Sequence, residues 1–252
     1  MKMKLTSALL VAAAGFVGLG VGNQVRAQLL TYSGGDPGAN STDPRPVSDA
    51  TAATFDAAAS ALGTENLITF ESAPVGAYSS LVVAPGVTLT GTDYTGDSSG
   101  QSILNAPIST PDSLFGYNTT VGGQNFAFIN GGFITFSFAT PIQAFGAYLT
   151  GLQLDNETIT FNDGSTQTIT VPNFGGGAQF EGFTDSGKLI SGIEINTTSA
   201  AAPSGDFIAV DDVRYVESGA VPEASTWAMM VAGFAGFGFI GYRRTAKALS
   251  SA

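Results

Sequence analysis

Thr158-Ile159-Thr160-Phe161-Asn162-Asp163-Gly164-Ser165-Thr166-Gln167-Thr168-Ile169-Thr170-Val171 is the stretch whose reading decides the fold class. Two alternating runs of β-branched residues flank Asn-Asp-Gly-Ser, and Asp-Gly supplies the positive φ that a tight hairpin turn requires. The same grammar runs outward in both directions. Runs rich in Val, Ile, Thr and Phe stand between Gly, Asn, Asp and Pro clusters: Leu67 to Glu71, Val87 to Gly91, Phe126 to Ile129, Phe133 to Phe138 and Ala144 to Thr150 upstream, then Phe180 to Thr184, Ile190 to Asn196 and Phe207 to Val216 downstream. About ten strands in one body predict a mainly β, antiparallel, jelly-roll-like β-sandwich over residues 66–217, with the long last strand beside the opening one.

Ahead of that body, Gln28 to Pro46 reads as an extended arm, because Asp43-Pro44 and Arg45-Pro46 favour extended backbone. Asp49 to Leu62 reads as a short helix with Ser48 as N-cap and Gly63 as C-cap, burying Phe55, Ala59 and Leu62 on one stripe. Arm and helix make a segment 28–65.

Composition narrows the chemistry. The chain has no histidine and no cysteine. That excludes Ser-His-Asp and Cys-His catalysis, His-ligated zinc and disulfide staples. Residues 28–222 hold 19 of the 20 acidic residues but only three of the nine cations, Arg45, Lys188 and Arg214, for a net charge of about −16. Such a surface repels nucleic acid and favours neutral partners or divalent cations.

Alternation along the last strand puts Phe207, Ala209, Asp211, Val213 and Tyr215 on one face and Ile208, Val210, Asp212, Arg214 and Val216 on the other, so a carboxylate points inward whichever face is buried. A buried carboxylate is costly unless it is paired or holds a cation. Glu71 ends the opening strand, so Glu71, Asp211 and Asp212 are the candidate ligands of a structural Ca²⁺. The competing reading pairs Asp212 with Arg214 and leaves the others as strand caps. Asp155, Glu157 and Asp163 flank the hairpin as a solvated rim. Tyr94 and Tyr117, both in Gly/Asn/Asp-rich loops, are the candidate exposed rings for stacking on a sugar. Glu181 with Glu194 or Asp185 is the carboxylate pair a glycan-cleaving enzyme would use, although no motif selects it.

The ends of the chain carry an address. Lys2 and Lys4 precede an apolar run from Leu5 to Val21, and Val25-Arg26-Ala27 predicts signal-peptidase cleavage after Ala27, so residues 1–27 read as a signal peptide. At the other end Val221-Pro222-Glu223-Ala224-Ser225-Thr226-Trp227-Ala228-Met229-Met230 opens an uncharged stretch that closes at Arg243-Arg244. Residues 224–242 make a helix of roughly 28 Å, enough to span a bilayer core of about 30 Å, with Trp227 at the outer interface and a basic tail 243–252 in the cytoplasm.

The order Pro-Glu-x-x-x-Trp-Ala-Met-Met, apolar helix, Arg-Arg resembles the PEP-CTERM sorting signal of Gram-negative bacteria, with Pro222-Glu223 in the linker 218–223. The body is similar to the sandwich domain of many such proteins in Leu67-Ile68-Thr69-Phe70-Glu71, Phe145-Gly146-Ala147-Tyr148, Gly182-Phe183-Thr184-Asp185 and Phe207-Ile208-Ala209-Val210-Asp211-Asp212-Val213. The resemblance implies export, inner-membrane anchoring with the body outside, processing by exosortase, and a role in exopolysaccharide-rich matrix or biofilm as a binding or structural protein. Val221, Pro222, Glu223, Trp227, Arg243 and Arg244 are then the sorting residues. The alternative is a secreted glycan-active enzyme on the same scaffold.

Overall fold

The computed structural model describes residues 29–107, 112–153, 156–161, 163–170, 175–185, 187–198 and 205–219. The expected leader, the sorting residues Val221, Pro222, Glu223, Trp227, Arg243 and Arg244, the 224–242 span and Asp155 lie outside the described residues. No helix among the described residues is long and apolar enough to cross a membrane.

In chain order the elements are β1 (Leu30–Pro37), α1 (Pro46–Ser60), β2 (Glu65–Ile68), β3 (Gly76–Tyr78), β4 (Ser80–Ala84), β5 (Val87–Thr92), β6 (Gln101–Leu104), β7 (Phe126–Asn130), β8 (Phe133–Thr150), β9 (Asn156–Phe161), β10 (Thr166–Thr170), β11 (Gly177–Thr184), β12 (Ile190–Asn196) and β13 (Phe207–Glu217). The Asp-Gly hairpin forms as its sequence predicts, Thr166 pairing with Thr160 and Thr170 with Asn156. Two runs read as separate strands, Phe133 to Phe138 and Ala144 to Thr150, are one strand that serves both layers of a sandwich-like body. Its first half pairs with β12 and β5, and its second half with β11 and β13. The changeover falls around Pro141, which has no N–H to give to a ladder.

One core lies between the layers, filled by Leu89, Ile134, Phe136, Phe145, Phe183, Ile193, Ile208 and Val210 among others. A second lies under α1, on the outer face of β8 and β11, where Ala52, Phe55 and Ala59 meet Tyr148 and Phe180. The Phe-Gly and Gly-Phe pairs serve both cores at once. Phe145 and Phe183 stack in the inner core at 5.6 Å, while Gly146 and Gly182, register partners on the outer face, leave room for the Phe55 ring. A Cβ on Gly182 would fall 2.8 Å from Phe55 Cδ2.

The segment 28–65 departs from its reading in three places, one of them the helix C-cap, which is Ala61 and not Gly63 because α1 already ends at Ser60. The supposed arm contains β1, an edge strand that pairs with β11 from Leu30↔Thr184 to Pro37↔Gly177. Ser48 is not the helix cap: α1 starts at Pro46, and the orphan N–H groups of Val47 and Ser48 bond to the carboxylate of Asp36 at 3.1 and 2.8 Å. The cap arrives from β1, so no local capping pattern marks it.

Candidate functional site

The opening and closing strands are neighbours as expected, with Val213 opposite Ile68 and Val216 opposite Glu65. The opening strand, however, ends at Ile68, and Phe70 has a φ of 60°, so Glu71 has already left the ladder. Strict alternation fails in β13. Register against β8 slips by one residue between Asp211 and Arg214, and Asp212 has a φ of 46°, a β-bulge. Before the bulge Ile208 and Val210 face the inner core; after it Val213 and Tyr215 do. The extra residue turns both carboxylates to the outer side, toward one loop.

That loop is residues 117–125. Asp211 Oδ2 accepts the N–H groups of Thr119 and Thr120 at 2.7 and 3.1 Å and the Thr119 hydroxyl at 3.1 Å. Asp212 Oδ1 accepts the Thr120 hydroxyl at 2.7 Å, and its Oδ2, 3.2 Å from the Thr119 hydroxyl, shares that single proton with Asp211. Glu71 Oε1 takes the other end, accepting Gln124 N and Asn125 N at 2.9 Å each and Asn118 Nδ2 at 3.0 Å. The calcium set expected from the sequence does not assemble, since no group of three such side chains among the described residues gathers to hold a metal ion. A calcium ion needs six to eight oxygen ligands, and here loop N–H and O–H groups occupy Asp211 Oδ2, Glu71 Oε1 and both Asp212 oxygens. Asp211 Oδ1 stays buried without a hydrogen-bond partner among the described residues. Burial first, then the like charge of Asp212, pushes the Asp211 carboxyl up to about 7. The Asp212–Arg214 pairing is also corrected: Arg214 donates to the Asp212 carbonyl, and its guanidinium lies 3.1 Å from Asp56 and 4.0 Å from Glu65.

The loop forms one wall of a cleft of about 410 Å³. Asn118, Thr119, Thr120 and Gln124 line it with Asn105, Ala106 and Pro107, Phe126 and Tyr117 border it with almost wholly buried rings, and Ser41 and Arg45 complete the lining. Arg45 donates to Thr119 O at 3.2 Å, and its guanidinium lies over the Tyr148 ring at 5.1 Å, so it braces the wall. Sequence reasoning missed this cleft. Asn105 and Asn118 sit in loops like many others, and nothing local brings Ser41 and Arg45 to them from before α1.

The two candidate tyrosines part company. Tyr94 is half-exposed, edge-on to Phe207 at 6.3 Å, and Phe207 in turn stacks on Phe128. Tyr117 is not an exposed platform: it is 1% exposed, its hydroxyl donates to Ala39 O, and Thr150 Oγ1 bonds both its N–H and its carbonyl. The carboxylates of the enzymatic alternative are also separated. Glu181 shares the inner face of β11 with Phe183 and accepts Ser33 Oγ and Gln179 Nε2; burial pushes it up to about 7. Glu194 lies between Ile193 and Ile195, which point into the core, and so faces outward from β12. Asp185 caps a turn by accepting the N–H groups of Gly187 and Lys188. Asp163 is exposed and bound to Ser165 and Lys188, as a rim residue should be, whereas the side chain of Glu157 lies outside the described residues.

No family model matches the chain, and no curated protein matches its sequence. Solved structures similar to it include the K2 cleaved adhesin domain of Lys-gingipain, at 16% identity over 61% of this chain and 99% of that one, with a TM-score of 0.39. The K1 adhesin domain of Lys-gingipain from Porphyromonas gingivalis W83 has 12% identity, 62% and 100% coverage and a TM-score of 0.36. TmCBM61, solved in complex with β-1,4-galactotriose, has 12% identity, 60% and 95% coverage and a TM-score of 0.34. Likeness at this level identifies no ligand for this chain.

Proposed function

We propose that this chain is a non-catalytic, glycan-binding protein of the bacterial envelope or extracellular matrix, with a jelly-roll-like body. It is exported through its leader, held in the inner membrane by residues 224–242, and processed by exosortase, which reads Pro222-Glu223, for the cell surface or the extracellular space. Signal peptidase and exosortase are its partners in export, and a neutral exopolysaccharide is its partner outside. The observation that carries the binding half is the cleft's lining: in a body of about −16 its described residues include no carboxylate, and Ser41, Asn105, Asn118, Thr120 and Gln124 line it with hydroxyls and amides beside the apolar Ala106, Pro107 and Val121. Uncharged hydroxyl and amide groups beside apolar surface suit a polyol, whereas the surrounding field opposes an anion.

An array of neutral and acidic polysaccharides, probed with the purified chain while hydrolysis products are assayed in parallel, tests this. Weak, saturable binding to neutral glycans without turnover is expected, reduced by Asn118→Ala. Silence toward every neutral glycan, or saturable cleavage lost in Glu181→Gln, reverses the reading. The sorting half is tested by replacing Pro222 and Glu223 with Ala in a strain that has exosortase: unprocessed, membrane-held chain is expected, and normal release sinks it.

A further inference from the structure

The carboxylates of Glu71, just past the end of β2, and of Asp211 and Asp212, at the bulge inside β13, converge on one loop and not on one point. We infer that they are positioning residues, which hold residues 117–125 as a preformed wall of the cleft with their own oxygens and without a metal ion. Four loop N–H groups, those of Thr119, Thr120, Gln124 and Asn125, end on Asp211 or Glu71. A loop buried on one side must satisfy such groups somewhere, and here no strand or water is needed to do it. The two anchors bracket the tip Val121-Gly122-Gly123, where Val121 is almost wholly exposed. Asn118 ties the two ends together, donating to Glu71 Oε1 at 3.0 Å and to Asn125 O at 2.6 Å. Gly123 makes the seat for the carboxylate, since a Cβ there would fall 2.3 Å from Glu71 Oε1. The anchors thus act through the loop and contact no ligand.

The consequence for binding rests on the glycan reading of the cleft. A wall already ordered before a ligand arrives spares the cost of ordering it on association. The anchoring itself does not rest on that reading, which lets one experiment separate the two.

Amide hydrogen exchange of the full chain, in calcium and in chelator, measures the loop, and polysaccharide binding is read on the same samples. The amides of Thr119, Thr120, Gln124 and Asn125 should be equally protected in both buffers. Glu71→Ala, at an exposed position, and Gly123→Ala should each speed exchange at Gln124 and Asn125 roughly tenfold while β13 stays protected. Glu71→Gln, which keeps one acceptor oxygen, should restore most of the protection and most of the affinity. Protection that appears only with calcium, or exchange unchanged in Glu71→Ala, overturns the assignment. A loosened loop with undiminished glycan affinity upholds the anchoring and overturns its consequence for binding. If the wild-type chain binds no glycan, the reading of the cleft falls, and the exchange data alone decide the anchoring.

Discussion

Two loops that read alike in the sequence are built on opposite principles. Residues 93–100, rich in Asp, Gly, Ser and Thr, and 117–125, rich in Asn, Gly and Thr, are both made of turn-forming residues, and each begins at or beside a tyrosine. The first staples itself: Asp93 Oδ1 accepts the N–H groups of Thr95 and Asp97, and Asp97 Oδ1 accepts that of Ser99, all within four residues. The second is held by Glu71, Asp211 and Asp212, from 47 to 93 residues away. The local loop leaves Tyr94 in solvent, whereas the remote one presses Tyr117 against the sheet. The difference teaches that loop composition signals a turn but not what lies beneath it, which depends on where distant carboxylates are delivered.

The largest effect expected from this contrast is on stability. Tyr117→Ala should cost about 3–5 kcal/mol, as for other large rings deleted from a core, whereas Tyr94→Ala should stay below about 1 kcal/mol. Urea unfolding of the two variants measures it. Equal losses would erase the distinction between the loops.

A second effect is the sign of the pH response. Asp211 ionises near its ordinary 3.8 in the unfolded chain but is held up to about 7 in the fold, chiefly by burial and then by Asp212. A raised carboxyl contributes stability that is complete below pH 3.8 and lost as pH rises through 7. Glu181, raised by burial from 4.5 to about 7 against its bonds from Ser33 and Gln179, acts in the same direction. Between pH 4 and 8 the melting temperature should therefore fall. Asp211→Asn should flatten part of that slope, and Glu181→Gln added to it most of the rest. A wild-type curve that climbs over this range would show that the loop's hydrogen bonds outweigh burial.

The smallest effect should appear in the local loop, with the opposite sign. Hydrogen bonds from Thr95 hold the Asp93 carboxyl below the usual range, and those from Ser99 do the same for Asp97. What these groups contribute is present above the ordinary carboxylate range and is lost as pH falls through their lowered values. After correction for intrinsic exchange, the amides of Thr95, Asp97 and Ser99 should open in acid while Thr119 and Thr120 stay closed. Asp93→Ala should open the first set at neutral pH. Parallel opening of both sets would mean that one mechanism holds both loops.

Strands were legible wherever a run was alternating and bounded by turn residues, as in the Asp163-Gly164 hairpin, because each feature is local. β1 was hidden, since Gly34, Gly35 and Asp36 carry no strand pattern and only pairing with β11 makes them one. Of the site, the importance of Asp211, Asp212 and Glu71 was legible from the cost of burying charge in or beside a strand. Their direction was not, because the bulge at Asp212 breaks the period on which the inward-pointing reading relied.

Composition, strand grammar and the charge asymmetry of the body were determined by the sequence alone, as were the exclusions that follow from having no histidine and no cysteine. All of these depend on which residues are present and on spacings of a few positions. Only the tertiary structure decided which tyrosine is buried, which way two adjacent aspartates point, and that Arg45, Asn105 and Asn118 border one cleft. Those outcomes are set by a one-residue slip in a ladder and by partners many tens of residues apart, and neither leaves a mark on the local pattern.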